Sequence, residues 1–118
     1  MLRKLTLGVM TAFLLAQAAP ALAFGAIAVD DEQGTAAEEA GYGTGWGTTR
    51  KEAERNAMRE CKKVGNSSCK VAVWFETCGA YAGSRVHFGI GYGATQKAAE
   101  RMALNDCPNC RLIVSDCE

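Results

Sequence analysis

The chain carries one pattern twice. Gly45-Trp46-Gly47-Thr48-Thr49-Arg50-Lys51 aligns with Gly91-Tyr92-Gly93-Ala94-Thr95-Gln96-Lys97, and the match runs on without a gap through Ala53 on Ala99, Glu54 on Glu100, Arg55 on Arg101, Ala57 on Ala103 and Cys61 on Cys107. With a shorter loop, Cys69 to Val73 then aligns with Cys110 to Val114, Cys78 with Cys117, and at the front Gly25-Ala26-Ile27-Ala28 with Gly79-Ala80-Tyr81-Ala82. The repeat marks a chain built by duplication of one unit. Repeat one is residues 24–78 and repeat two residues 79–118, together one domain.

Each repeat reads as strand, strand, helix, strand. The second strand alternates strictly, with Tyr42, Thr44 and Trp46 on one face and Gly41, Gly43, Gly45 and Gly47 on the other. Repeat two sets Val86, Phe88, Ile90 and Tyr92 against His87, Gly89, Gly91 and Gly93. Glycine at every second position strips one face of side chains, which suits close approach by another backbone or by a ligand. The helix of the same repeat is the expected occupant: Ala53, Ala57 and Cys61, and likewise Ala99, Ala103 and Cys107, recur at four-residue spacing and give each helix a narrow small-residue seam. A ligand groove lined by glycine is the alternative. Thr49 with Glu52 forms a capping box for helix one; repeat two keeps Thr95 but has Ala98 in place of the glutamate. The expected fold is α+β: a mostly antiparallel sheet of about six strands with two helices on one face.

Residues 1–23 carry the three parts of an export signal: Arg3 and Lys4, an apolar run from Leu5 to Leu15, and the small-residue site Ala21-Leu22-Ala23. Cleavage is expected before Phe24. The apolar run is shorter than the roughly 20 residues that span a bilayer, so no membrane span is expected after cleavage. The whole chain balances thirteen basic against thirteen acidic side chains, but residues 24–118 hold only eleven of the basic ones, so the processed protein is slightly acidic. No nucleic acid is expected as a partner, since that would call for a strongly basic balance. The charges are segregated. Residues 30–39 hold five acids and read as an exposed loop, while seven of the eleven basic residues lie between Arg50 and Lys70.

All six cysteines fall within residues 24–118. An exported small domain with an even cysteine count is expected to form disulfides, which supplement a marginal core. Six cysteines allow fifteen pairings. If both repeats use one local scheme, Cys61 pairs with Cys69, Cys107 with Cys110, and Cys78 with Cys117 by exclusion. Closing loops of these lengths contributes roughly 2.6, 1.9 and 3.9 kcal/mol in the loop-entropy model, and the last bridge is expected to lock the two repeats together. Cys107-Pro108-Asn109-Cys110 also matches the C-x-x-C pattern of redox enzymes, but Cys107 falls at a helix C-terminus, where the macrodipole disfavours a thiolate. Zinc binding by Cys61, Cys69, Cys107 and Cys110 is disfavoured by export and by the long spacing between the first two. No metal and no cofactor is expected.

The layout resembles a family of exported bacterial domains known as domain of unknown function 4189. The resemblance is carried by Gly25-Ala26-Ile27-Ala28, the Gly-aromatic-Gly-x-Thr entry at Gly45 to Thr49, the alanine helix ending in Cys61, Cys69 followed by Val71-Ala72-Val73-Trp74-Phe75, and Cys78-Gly79-Ala80. It implies a secreted, disulfide-containing α+β domain and assigns no catalytic residue.

Candidates for chemistry are few. His87, the one histidine, lies beside Phe88 without a nucleophile motif, and the serines at 67, 68, 84 and 115 have none around them. Glu54 and Glu100 occupy equivalent positions and could pair across a pseudo-twofold axis, or simply solvate their helices. Lys51, Arg55, Arg59, Lys62 and Lys63 fall on one side of helix one, opposite its alanine seam; they form either a solvated face or a patch for an anionic protein or envelope component. Tyr42, Trp46 and Tyr92 face away from the glycines and are either packed under a loop or exposed for a partner. The residues point to a secreted or periplasmic binding module, with a small hydrolase or thiol-disulfide enzyme as the alternative.

Overall fold

The computed structural model describes residues 22–31 and 39–118. Residues 1–21 of the expected export signal and most of the acidic stretch lie outside these residues. The elements run β1 (Phe24–Asp30), β2 (Gly41–Gly47), α1 (Arg50–Lys63), β3 (Lys70–Phe75), β4 (Cys78–Gly83), β5 (Phe88–Gly93), α2 (Gln96–Asp106) and β6 (Arg111–Cys117). Strand, strand, helix, strand is thus realised twice.

In place of a single six-stranded layer there are two antiparallel sheets of three, ordered β2-β1-β3 and β5-β4-β6. Each repeat supplies one sheet and lays its own helix on it, so the helices lie on the two outer faces and the sheets pack against each other. The reason is in the alternation. Along β1, Ala26 and Ala28 turn to α1 while Ile27 and Val29 turn the other way. With both helices on one face of one sheet, those large side chains would meet water. Instead Ile27, Val29, Val73 and Phe75 of the first sheet close on Tyr81 of the second, with Ile90, Ile113 and Val114 packed around them.

The glycine faces hold the helices, not a ligand. A Cβ on Gly45 would overlap the Ala57 amide nitrogen and lie 2.7 Å from the Ala53 carbonyl oxygen; one on Gly43 would overlap the Cys61 amide nitrogen. In the second repeat Gly91 lies against Ala99 and Ala103, and Gly89 against Ala103 and Cys107. Helix backbone therefore rests directly on strand backbone, and Ala53, Ala57, Cys61, Ala99 and Ala103 are fully buried there.

Both repeats contain one irregularity that alternation does not announce. Ile27 pairs with Val73 and Ala28 with Val71, so Ala72 has no partner on β1; Tyr81 pairs with Val114 and Ala82 with Leu112, so Ile113 has none on β4. These are equivalent positions. Each bulge turns two consecutive apolar residues toward the layer between the sheets.

The helix ends follow the capping chemistry. The Thr49 hydroxyl accepts from the Glu52 amide at 3.1 Å, and the Thr95 hydroxyl accepts from Ala98 at 3.1 Å. Glu52 reaches back one residue further than a capping box does, to the Thr48 amide (2.6 Å) and hydroxyl (3.0 Å). Its carboxyl is held below the usual glutamate range, first by the Thr48 amide, then by the Thr48 hydroxyl, with the Arg55 charge adding to them. After α1, Gly65 adopts φ of 97° and its amide donates to the Lys62 carbonyl at 3.0 Å.

Gly45→Ala and Gly91→Ala should each lower stability by about 3 kcal/mol, because backbone cannot yield to the new methyl. Gly65→Ala, with open space around it, should cost only about 1 kcal/mol of left-handed strain. Urea unfolding of the disulfide-intact protein checks this; equal costs at Gly45 and Gly65 would contradict the packing.

Candidate functional site

The six cysteines form three disulfides, Cys61–Cys69, Cys107–Cys110 and Cys78–Cys117. The first two tie a helix end to the start of the next strand in each repeat. The third does not lock the two repeats together. Cys78 is the first residue of β4 and faces Cys117 directly across the β4–β6 ladder, so the bridge lies within the second sheet. The crossing between sheets falls just before it, at Glu76 and Thr77. Cys107 is the C-cap of α2 and 5% exposed, a setting in which a thiolate is disfavoured by both burial and dipole. Among the described residues no cluster of three or more His, Cys, Asp or Glu side chains is placed to hold a metal ion.

The catalytic candidates are not brought together. His87 lies in the turn between β4 and β5, not in the strand, and is exposed. That turn is closed by Ser84: its hydroxyl accepts from the amides of Val86 (3.3 Å) and His87 (3.1 Å), and its own amide donates to the His87 carbonyl at 2.9 Å. The contacts run to the His87 backbone and not to the imidazole, so no serine-histidine pair exists there. Glu54 and Glu100 stand on helices at opposite outer faces and cannot pair. Glu54 accepts from Arg50 at 2.8 Å, and Glu100 accepts from Ser115 (2.6 Å) and Gln96 (3.0 Å).

Tyr42, Trp46 and Tyr92 do not make one stripe. Trp46 and Tyr92 are equivalent in the duplication but meet different neighbours in the layer between the sheets. Trp46 is partly buried; its Nε1 donates to Asp116 of β6 at 2.9 Å, and its ring meets Phe75 edge-on at 5.3 Å over the bare backbone of Gly25. Tyr92 is 53% exposed, and its hydroxyl makes no hydrogen bond among the described residues. The position equivalent to Asp116 is Phe75, whose ring turns inward over Gly25 and Gly79, neither of which has a side chain to stop it. Trp46 and Asp116 thus seal one flank. The other is left as an open groove of about 480 Å³, lined by Trp74, Phe75, Glu76, Thr77, Tyr92 and the Gly93–Ala94 backbone. The sequence does not mark this groove, because Trp74 reads as one more apolar residue of a strand. It offers a single carboxylate, Glu76, and no opposed acid and base.

The groove is continuous with the start of α1. The Arg50 guanidinium lies 4.7 Å from the centre of the Trp74 ring. From there Lys51, Arg55, Arg59, Lys62 and Lys63 run along the solvent side of the helix, all exposed. Lys63 lies 3.9 Å from Glu60; among the described residues no ion pair engages the other four. Helix two has only Lys97 and Arg101 at the corresponding places and Asn105 where α1 has Arg59.

Trp46→Phe should cost about 2 kcal/mol, the value of a hydrogen bond to a charged acceptor, whereas Tyr92→Phe should fall within about 0.5 kcal/mol of the parent. Urea unfolding separates them, and equal costs would contradict the sealed and open flanks.

No protein of curated function matches this chain. The fold is similar to that of Rv1813c from Mycobacterium tuberculosis, solved by NMR, with a TM-score of 0.53 and 22% sequence identity over 100% of this chain and 95% of that one. A family model described as a domain of unknown function (DUF4189) matches residues 24–117, from the first residue of β1 to the last of β6, and the chain belongs to that family.

Proposed function

We propose that this protein is an exported, non-enzymatic binding module that docks an anionic protein or envelope component on α1. The observation that carries the reading is the concentration of exposed, largely unpaired cations on one helix only. A framework requirement would appear in both repeats, and the second helix lacks the patch. The aromatic groove at the start of α1 supplies the apolar surface that a basic patch alone lacks, and exposed tryptophan and tyrosine beside arginine is the usual composition of an energetic centre in an interface. Three disulfides suit an oxidising, extracytoplasmic environment, and the Ala21-Leu22-Ala23 site supports export to it. The scattered ionisable groups support no hydrolase, and the capped, buried Cys107 supports no thiol-disulfide enzyme.

Residues 24–118, immobilised and exposed to envelope extract, should capture a defined set of components whose yield falls as salt rises from about 0.1 to 0.5 M. Arg55→Glu with Arg59→Glu should abolish the capture while leaving the unfolding midpoint near that of the parent. Undiminished capture by the folded double variant would overturn the assignment to α1.

A further inference from the structure

We propose that the open flank between β3 and β5 takes an extended segment of another protein, which adds as a strand to the free edge of β3. Its apolar side chains enter the groove at alternate positions, and its acidic residues meet the start of α1. The proposal rests on the reading of α1 as a docking surface for an anionic partner and names that partner's chemistry: a protein strand, not a lipid surface.

Four strands end the two sheets, β2, β3, β5 and β6, and an end strand carries backbone groups that a further strand can use. Two of the four are covered by their own helix. On β5 the amides of Ile90 and Tyr92 donate to the Asp106 carboxylate at 3.2 Å and the Met102 sulfur at 3.4 Å. On β2 the Trp46 carbonyl accepts from the Asn56 side-chain amide at 2.8 Å. Asn56 and Met102 are equivalent in the duplication. β6 lies on the flank that Trp46 and Asp116 close. β3 is left: among the described residues no backbone hydrogen bond from outside its sheet reaches residues 70–75. The bulge at Ala72 breaks the spacing near its start, so regular pairing runs from Val73 past Phe75, the stretch beside the groove.

The side chains that face this edge have the period of a strand. Phe88 stacks on Tyr81 at 5.9 Å, the Tyr81 hydroxyl donates to Asp31, and Asp31 lies 3.6 Å from Lys70 at the start of β3. Tyr92, four residues further along β5, meets the end of β3 in the groove. Phe88, Ile90 and Tyr92 therefore form a row along β3, and the first and last are more than half exposed. Every second side chain of an added strand falls roughly 7 Å from the next on the same face, which matches that row. Main-chain pairing with alternate side chains in pockets is how a sheet edge recognises a peptide, and a lipid surface uses neither feature.

Charge fixes what lies where. Glu76 is the one carboxylate of the groove and repels acids, so apolar residues belong there. At the Trp74 end the groove opens on Arg50, stacked 4.7 Å from that ring, with Lys51 and Arg55 exposed beyond it. The acidic residues of the segment follow its apolar ones at that end.

The test selects a random-peptide display library on the oxidised protein. Enriched peptides should alternate apolar and polar residues and carry Asp or Glu at one end. Methylating the backbone nitrogens of the tightest peptide one at a time should weaken binding by at least about tenfold at alternate positions, where a strand-edge hydrogen bond is lost, and little at those between. Phe88→Ser with Tyr92→Ser, kept only if its unfolding midpoint shows it folded, should weaken binding as much, and bound peptide should slow amide exchange in β3 and not in β6. No enriched peptide, enrichment without alternation, or methylation tolerated at every position would overturn the strand pairing. Undiminished binding by the folded double variant, or protection of β6 in place of β3, would overturn the placement. Phosphatidylglycerol vesicles are the lipid probe: vesicle binding by a protein that enriches no peptide would overturn this inference and leave the α1 reading standing. Undiminished envelope capture by the Arg55→Glu, Arg59→Glu variant overturns that reading instead, and the methylation series is independent of it.

Discussion

Everything in this domain depends on helix backbone lying directly on strand backbone. At Gly43, Gly45, Gly89 and Gly91 no Cβ fits between the two, and the helix answers with alanine or cysteine at Ala53, Ala57, Cys61, Ala99 and Ala103. So close an approach uses almost no side-chain volume. The large buried residues Ile27, Val29, Val73, Phe75 and Tyr81 are left for the opposite faces of the sheets, where they must find a second cover. A chain of this length supplies that cover most directly by repeating itself. The result is helix, sheet, sheet, helix, with the bulky core in the middle layer and two thin seams outside it. Thin seams bury little apolar area per residue, which explains why each helix end is also fastened to the following strand by a disulfide.

Duplication also provides an internal comparison that a single copy could not. Trp46 and Tyr92 occupy one position, as do Asp116 and Phe75. Tryptophan facing aspartate closes the layer with a hydrogen bond; tyrosine facing phenylalanine leaves the groove, because the phenylalanine ring is drawn over Gly25 and Gly79 instead. The same divergence separates the helices, one carrying a cationic stripe and the other not. Both departures from symmetry meet where Arg50 stacks on Trp74. The docking surface proposed above takes in both.

Much of this was legible in the residues. Alternating glycine opposite an alanine seam is a local signal read from short spacings, and it foretold the helix-on-strand contact. The local cysteine pairs followed from the repeat. What escaped was whatever depended on a relation between distant segments. Division into two sheets hangs on Glu76 and Thr77 turning the chain from one layer to the other, and nothing in those two residues marks a crossing. The bulges at Ala72 and Ile113 were hidden because Ala72-Val73 and Ile113-Val114 read as ordinary apolar strand. Alternation with glycine reads His87 as strand, whereas the Ser84 hydroxyl holds it in the turn. The alignment of Cys78 with Cys117 assigns it to the first repeat, although it begins the first strand of the second. The groove was invisible for a further reason: it is defined by the inward turn of Phe75, which two glycines in different strands permit jointly.

The direct contact of helix and strand backbones is the claim on which the rest stands. The measurement that tests it most directly is a nuclear Overhauser spectrum of the labelled, oxidised domain, read between the α-protons of Gly43 and Gly45 and the amide protons of Ala57 and Cys61. Strong cross-peaks at those pairs, repeated between Gly91 and Ala103, are predicted. Their absence, with cross-peaks from the glycine α-protons to side chains of any other element, would contradict the account.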